Sequence, residues 1–212
     1  MGTMEAQVTA SFAIMAHPSR YDRARRLSRA LGAPIVWDRG RGEWDTAERA
    51  WNDYSSYADY HIVVQDDALL ARYARSKMLT ALDQCPEFGP VSFYAGKVWP
   101  VHVQTAFAGA VRSGASWIVA NRLYWGVAVA VPTYMIPDML DHRSNRVYDA
   151  RVGDYFAKQN LPVYYTNPSL VNHAETDSLL GKKPKGRVAL RFDAELPVTW
   201  NHGVSDLRAH RV

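Results

Sequence analysis

Two adjacent carboxylates, Asp66 and Asp67, end the apolar run Tyr60-His61-Ile62-Val63-Val64-Gln65, and they are the first place to look for chemistry. A β-branched run of that length reads as a strand buried on both faces, as in the middle of a parallel sheet. Acids at the carboxyl end of such a strand sit in the crevice where open α/β sheets bind ligands. Side chains alternate along a strand, so Gln65 and Asp67 are expected on one side and Asp66 on the other. An acidic oxygen cluster there suits a hard divalent cation that holds a diphosphate. The plainer reading is a helix cap, because Asp before a helix satisfies its free N–H groups.

The surrounding pattern alternates strand and helix. Ser11–Ala16 reads as a first strand, closed by His17-Pro18-Ser19-Arg20; Pro18 disfavours helix at His17, and Ser19 can cap the next helix. That helix, from about Arg20 to Leu31, places Ala24, Leu27 and Leu31 on its apolar side, and Gly32 stops it. Pro34–Asp38 reads as a second strand, Asp45–Tyr54 as a helix, and Leu69–Leu82 as another. Strands come next at Val91–Ala95, Ser116–Ala120 and Gly126–Val131, while Lys97–Gly114 shows no firm period. Pro132 opens a short helix to Leu140, Tyr148–Gln159 reads as helical, and Pro162–Tyr165 as a late strand. Pro168–Val171 is a loop or short strand. From Gly181 the composition turns basic. The expected organisation is therefore a lead-in over 1–10, a domain over 11–181 and a basic arm over 182–212, with α/β class.

Composition sets the bounds. The chain has 212 residues, 48% hydrophobic and 22% charged, ordinary values for a globular protein with a sizeable core. No apolar segment reaches the length of a membrane span, and the amino terminus lacks a secretory pattern. Cys85 is the single cysteine, which excludes an internal disulfide and a cysteine-rich zinc site, and fits a reducing compartment. Net charge is +4 and pI about 9.2, which permits a polyanionic partner without requiring one. The Gly-x-x-x-x-Gly-Lys-Ser/Thr phosphate loop, the Gly-x-Gly-x-x-Gly fingerprint and the Gly-x-Ser-x-Gly elbow are all missing.

Four motifs in order carry a family resemblance. Val64-Gln65-Asp66-Asp67-Ala68 resembles an Asp-x-Asp-type motif, with Gln65 at a usual Glu. Trp125-Gly126-Val127-Ala128 resembles a glycine loop between donor and acceptor. Tyr148-Asp149, with Val152 and Tyr155, resembles a Glu-Asp motif that opens a helix, Tyr148 replacing the Glu. Pro168-Ser169-Leu170-Val171-Asn172-His173, followed by Ser178-Leu179-Leu180-Gly181, resembles a segment whose His completes a metal site. The chain is similar to GT-A fold nucleotide-sugar glycosyltransferases, to glycosyltransferase family 25 and more closely to bacteriophage-encoded glycosyltransferases. That resemblance implies a GT-A-like, Rossmann-like, mixed and mostly parallel sheet flanked by helices. It implies a UDP-sugar donor, glucose-type, a Mn²⁺ or Mg²⁺ ion, and a location in the cytoplasm of an infected host.

Residue roles come from the resemblance and from chemistry together. Asp67 is the first choice of metal ligand and Asp66 the second; His173 is a further ligand that would bias the site towards Mn²⁺, or a hydrogen-bonded structural histidine. Gln65 in place of an acid removes one anionic ligand. The donor side takes His17, Arg20, Gln65, Asp66, Asp67 and Gly126, with Asp38 on ribose or base and Trp37 stacking; alternatively Asp38 forms a turn and Trp37 is core. Asp149 is the candidate general base of an inverting transfer, or an acid at a helix start. Trp99, Tyr124 and Trp125 are candidates to wall the acceptor, though aromatic residues are more often core. The resemblance to phage enzymes implies hydroxymethylated pyrimidines in DNA as one acceptor class, and the basic residues Lys182, Lys183 and Lys185 favour that class, double-stranded DNA carrying 5-hydroxymethylcytosine; protein or glycan acceptors, or a non-catalytic nucleotide-binding module, are the alternatives.

Overall fold

The computed structural model describes residues 7–174, 186–195, 200 and 203–208. Its centre is an eight-stranded mixed sheet. β1 (Ala10–Ala16) lies between β2 (Ile35–Trp37) and β3 (Tyr60–Gln65), both parallel to it, with Ile14 opposite Ile35 and Val64. Beyond β3 come β7 (Ala128–Pro132), β5 (Val91–Ser92), β8 (Val163–Thr166), β6 (Trp117–Ala120) and, at the far edge, β10 (Val204–Asp206). Four of the seven strand pairs are parallel. The chain direction changes at β3, which pairs in parallel with β1 and antiparallel with β7. The central strand is thus buried as its composition predicts, with Ile62, Val63 and Val64 fully buried, at a junction of the sheet rather than within a purely parallel one.

Helices cover this sheet for the reasons their patterns give. α1 (Tyr21–Leu31) turns Ala24, Leu27 and Leu31 inward and ends at Gly32, whose φ of 59° favours glycine. The expected Ser19 cap is not formed: a 3-10 turn over Pro18–Arg20 precedes α1, capped by His17, whose Nδ1 accepts from the Ser19 backbone N–H at 3.2 Å, and Arg20 stands before α1 without a side-chain capping bond. α2 (Glu43–Asn52) buries Ala47, Ala50 and Trp51 beside β1 and β3. The region without a firm period, Lys97–Gly114, contains α4 (Val101–Arg112), whose mixed aromatic and small residues blur an amphipathic stripe. α5 (Ile136–Asp141) is short; α6 (Tyr148–Lys158) buries Tyr148, Val152, Tyr155 and Phe156.

The expected helix from Leu69 is corrected. Ala68–Leu70 is a strand, β4, paired antiparallel with β9 (Val171–His173), and α3 starts only at Ala74 (Ala74–Asp83). Tyr73, at a positive φ of 57°, separates the two. A three-residue strand is too short to show an alternation in sequence. The segment 186–190 runs beside 95–97: Lys97 N–H donates to Val188 O at 2.9 Å and Leu190 N–H to Ala95 O at 2.8 Å. β10 extends the main sheet beside β6, so this part of the basic region is a sheet strand.

Gly153 sets how closely α6 can approach. A Cβ there would lie 2.2 Å from the Leu123 carbonyl oxygen, a backbone atom that cannot step aside. Gly153→Ala is therefore expected to destabilise the fold by about 1–3 kcal/mol, as overpacking does, read as a lower urea midpoint at unchanged slope. An unchanged midpoint would mean that α6 packs more loosely on Leu123 than this separation requires.

Candidate functional site

Three chain segments meet at the carboxyl ends of β1 and β3. Met15 pairs with Gln65, so the residues just beyond each strand lie side by side. Asp66 keeps its backbone N–H on Met15 O at 3.0 Å, but its side chain has left the strand alternation. Its Oδ2 accepts the His17 backbone N–H at 2.7 Å, and its Oδ1 accepts Arg20 Nη1 at 2.6 Å. The same Arg20 Nη1 donates to Asp67 Oδ2 at 3.1 Å. The expectation that Asp66 and Asp67 point to opposite sides is thus replaced by convergence on one guanidinium, because β3 ends at Gln65 and the acids occupy a turn.

His173 arrives by strand pairing. Ala68 sits opposite His173, and Asp67 O accepts the Ala174 N–H at 2.8 Å, so the register carries the imidazole to the acid. A slip of one residue would turn it to the other face. His173 Nε2 lies 3.2 Å from Asp67 Oδ2, while Nδ1 is 2.8 Å from Ala174 O. A carbonyl only accepts, so Nδ1 carries the proton. In the neutral ring Nε2 then presents a lone pair to a carboxylate, and the two acceptors need a shared cation: a proton or a metal.

The donor set fits a metal in part. Among the described residues no group of three or more His, Cys, Asp or Glu is arranged to hold an ion. Both Asp66 oxygens are engaged by His17 and Arg20. Asp67 Oδ1, in contrast, is buried with no hydrogen-bond partner, and Asp67 and His173, whose Nε2 lies against the other oxygen Oδ2, are the two residues that would hold a divalent cation. Burial raises the Asp66 carboxyl above its ordinary range. Burial pushes Asp67 the same way, but His173 and Arg20 outweigh it and the carboxyl ends lower, hence ionised.

A second group of acids faces this corner from the helix starts. Asp149 opens α6, its Oδ1 accepting the Ala150 N–H at 2.9 Å. Burial raises its carboxyl, opposed by that N–H and by Arg187 and Arg146. Glu43, which no sequence motif singled out, accepts the Tyr148 N–H at 3.4 Å on its Oε2. Desolvation raises its carboxyl too, and the negative charges of Asp149 and Asp67 add to that. The helix expected from Asp45 in fact starts at Glu43, and the only signal in sequence is an acid just after Gly40 and Gly42. Gly126 lies against this group: a Cβ there would stand 2.6 Å from the Tyr148 ring and 3.1 Å from Asp149 Cβ. Close approach, not a left-handed φ, is what this glycine supplies.

Of the remaining candidates, Gln65 donates its backbone N–H to Val127 O at 2.9 Å, tying the acidic corner to the glycine loop. Asp38 Oδ1 accepts from Gly40 N–H at 2.9 Å and Thr46 Oγ1 at 3.3 Å, the work of a turn. Trp37 stacks on Tyr21 with centroids 5.4 Å apart. Tyr124 and Trp125 are buried among Phe107 and Tyr165, which makes them core more than wall, whereas Trp99 is 71% exposed. Lys182, Lys183 and Lys185, with the Ser178–Gly181 motif, lie outside the described residues. Cys85 is half-buried, and burial pushes its thiol up to about 12, which disfavours the thiolate that acts as a nucleophile. No described helix is long and apolar enough to cross a membrane.

No family model matches the chain, and no curated protein matches it. Solved structures do. The catalytic domain of Drosophila β1,4-galactosyltransferase 7, in complex with xylobiose, is 10% identical over 78% of this chain and 71% of that one, with a TM-score of 0.45. The inositol-1-phosphate CTP transferase of T. maritima is 8% identical over 85% and 94%, with a TM-score of 0.46. A CMP-2-keto-3-deoxy-manno-octonic acid synthetase bound to CTP is 11% identical over 74% and 88%, with a TM-score of 0.41. Likenesses this distant say nothing about the residues of the site, and what the chain itself presents is a mixed α/β sheet with a paired acidic corner at its carboxyl edge.

Proposed function

We propose that this chain is a nucleotide-sugar glycosyltransferase that moves a sugar from a nucleoside diphosphate donor to a hydroxyl acceptor. The observation that carries the reading is the Arg20–Asp66–Asp67–His173 corner, in which Asp67 Oδ2 meets Arg20 and His173 while Asp67 Oδ1 is buried without a partner, within the electrostatic reach of Glu43. A divalent cation held by Asp67 and His173 would supply Lewis-acid neutralisation of the leaving diphosphate. Arg20 and the His17 backbone hold Asp66 and fix the corner. Gly126 lets the head of α6, with Tyr148 and Asp149, come close to the glycine loop. Asp149 takes the proton of the acceptor hydroxyl as its oxygen bonds the anomeric carbon and the bond to the diphosphate breaks, with inversion.

The acceptor we favour is 5-hydroxymethylcytosine in duplex DNA, reached by flipping the base from the stack. Exposed Arg25, Arg26 and Arg29 on α1 and the basic residues after Gly181 support it. DNA binding should then weaken steeply with salt, by about 0.9 log units in K per log unit of salt for each phosphate contacted. The experiment offers several nucleotide sugars with hydroxymethylated duplex, unmodified duplex, glycans and proteins, and reads mass shifts. Transfer confined to the hydroxymethylated duplex bears the proposal out. Transfer to a glycan or protein alone keeps the glycosyltransferase and removes DNA. A second reading, a nucleotide-binding module without catalysis, is favoured by Gln65 and Tyr148 standing where the resembled motifs carry acids; nucleotide binding with no turnover to any acceptor or to water would select it.

A further inference from the structure

Asp149 has two charged neighbours of opposite sign that belong to other parts of the chain. Glu43 is the first residue of α2, and its carboxylate accepts the N–H of Tyr148 at the head of α6. Asp149 curls over the same helix head onto Ala150 N–H. Two carboxylates therefore share one helix start, where the free N–H groups and the helix dipole favour negative charge. Arg187 comes from the 186–190 segment, whose backbone is fixed by four bonds. Tyr94 Oη donates to Arg187 O at 3.0 Å, Lys97 N–H to Val188 O at 2.9 Å, Ala189 N–H to Asn172 Oδ1 at 2.7 Å, and Leu190 N–H to Ala95 O at 2.8 Å. Asn172 neighbours His173 in β9, so the segment is anchored beside the acidic corner. Tyr94 packs edge-on against Trp125, whose neighbour Gly126 lies against Asp149, and from this anchored segment the exposed Arg187 acts on Asp149 and on the Tyr94 phenol through space.

We propose that Glu43 and Arg187 are positioning residues for Asp149, a carboxylate and a guanidinium brought to it from two other segments to tune the base. This rests on the reading of Asp149 as the base. Other groups facing Asp149 are Arg146, already bonded to Asp154 at 3.2 Å, and the buried phenols of Tyr148 and Tyr165, which stay neutral; Asp67 acts on Glu43. Two coupled carboxyls release protons in two steps that belong to the pair. Glu43 is raised by its own burial first and by the negative charges of Asp149 and Asp67 besides, and Asp149 is raised by burial, so the pair should lose its two protons over separate pH ranges. A base beside a second carboxylate holds a proton more strongly once both are ionised, and a guanidinium limits that gain.

The test is a titration of the Asp149 carboxyl carbon by NMR, in protein labelled at aspartate and with the signal identified by its loss in Asp149→Asn. Wild type should show a second, higher step. Glu43→Gln keeps an oxygen for Tyr148 N–H, so α6 stays capped, yet the upper step should vanish and titration should end at lower pH. Arg187→Gln should move the whole titration upward, by up to the order of one pH unit. Opposite movement from the two variants is something a merely structural role would not produce. Superimposable curves in wild type and both variants would overturn the proposal. The acid limb of nucleotide-sugar hydrolysis separates tuning from base. If Asp149→Asn keeps that limb, the base assignment fails; if it removes the limb while the other two variants leave it in place, only the tuning fails.

Discussion

Asp149→Asn is expected to bind a nucleotide sugar as wild type does and to turn it over about 10²–10⁴-fold more slowly, the loss typical of a missing general base. The amide keeps the shape and can still accept the Ala150 N–H, so α6 should remain in place. What it cannot do is take a proton. Stopped-time assays of donor turnover, with calorimetric binding of the same donor alongside, read the two quantities separately. Wild-type turnover in the variant would leave Asp149 as a helix-start acid only, and a product of retained stereochemistry would remove the inverting base altogether.

Asp67→Ala should act on the other half of the reaction. Losing even an outer partner of a metal ligand typically costs 10–100-fold in affinity, so losing the acid itself is expected to lower Mn²⁺-dependent binding of UDP by about 100-fold or more. Arg20 keeps Asp66, and His173 keeps Ala174 O, so the fold should survive. The pH dependence has a definite sign. Asp67 is held below the ordinary carboxylate value of about 3.9, so its contribution to stability is present above that value and fades as pH falls through its own lower one. The variant should lack that acid-side loss. Metal-dependent affinity equal to wild type would show that the ion, if used, is held elsewhere.

How much of this could be read from sequence depends on element length. β1, α1, β3 and α6 are long enough to show their periods, and the acids after β3 fall at its carboxyl end as the pattern predicts. β4 and β9 are three residues each, so the pairing that delivers His173 to Asp67 leaves no periodic trace. The joint hold of Arg20 on Asp66 and Asp67 was hidden for another reason: it depends on where β3 stops, and a one-residue change of end decides whether alternation applies. Glu43 reads locally as the end of a loop, since the helix is expected only from Asp45, and Arg187 as one basic residue among several. Glu43 reaches the head of α6 by a bond to Tyr148 N–H across 105 residues, and Arg187 acts on Asp149 through space from another segment, which no local pattern encodes.

The sharpest check on the glycosyltransferase reading is release of nucleoside diphosphate from UDP-sugars by the wild-type chain, with Mn²⁺ present and with it chelated, beside Asp149→Asn and Asp67→Ala. Water stands in for the acceptor, so the outcome does not depend on knowing which hydroxyl is natural. Wild type should release the diphosphate slowly and only with the metal, and both variants should lose that release. Release that proceeds equally in the variants, or no release from any nucleotide sugar together with no transfer to any acceptor, would contradict the reading.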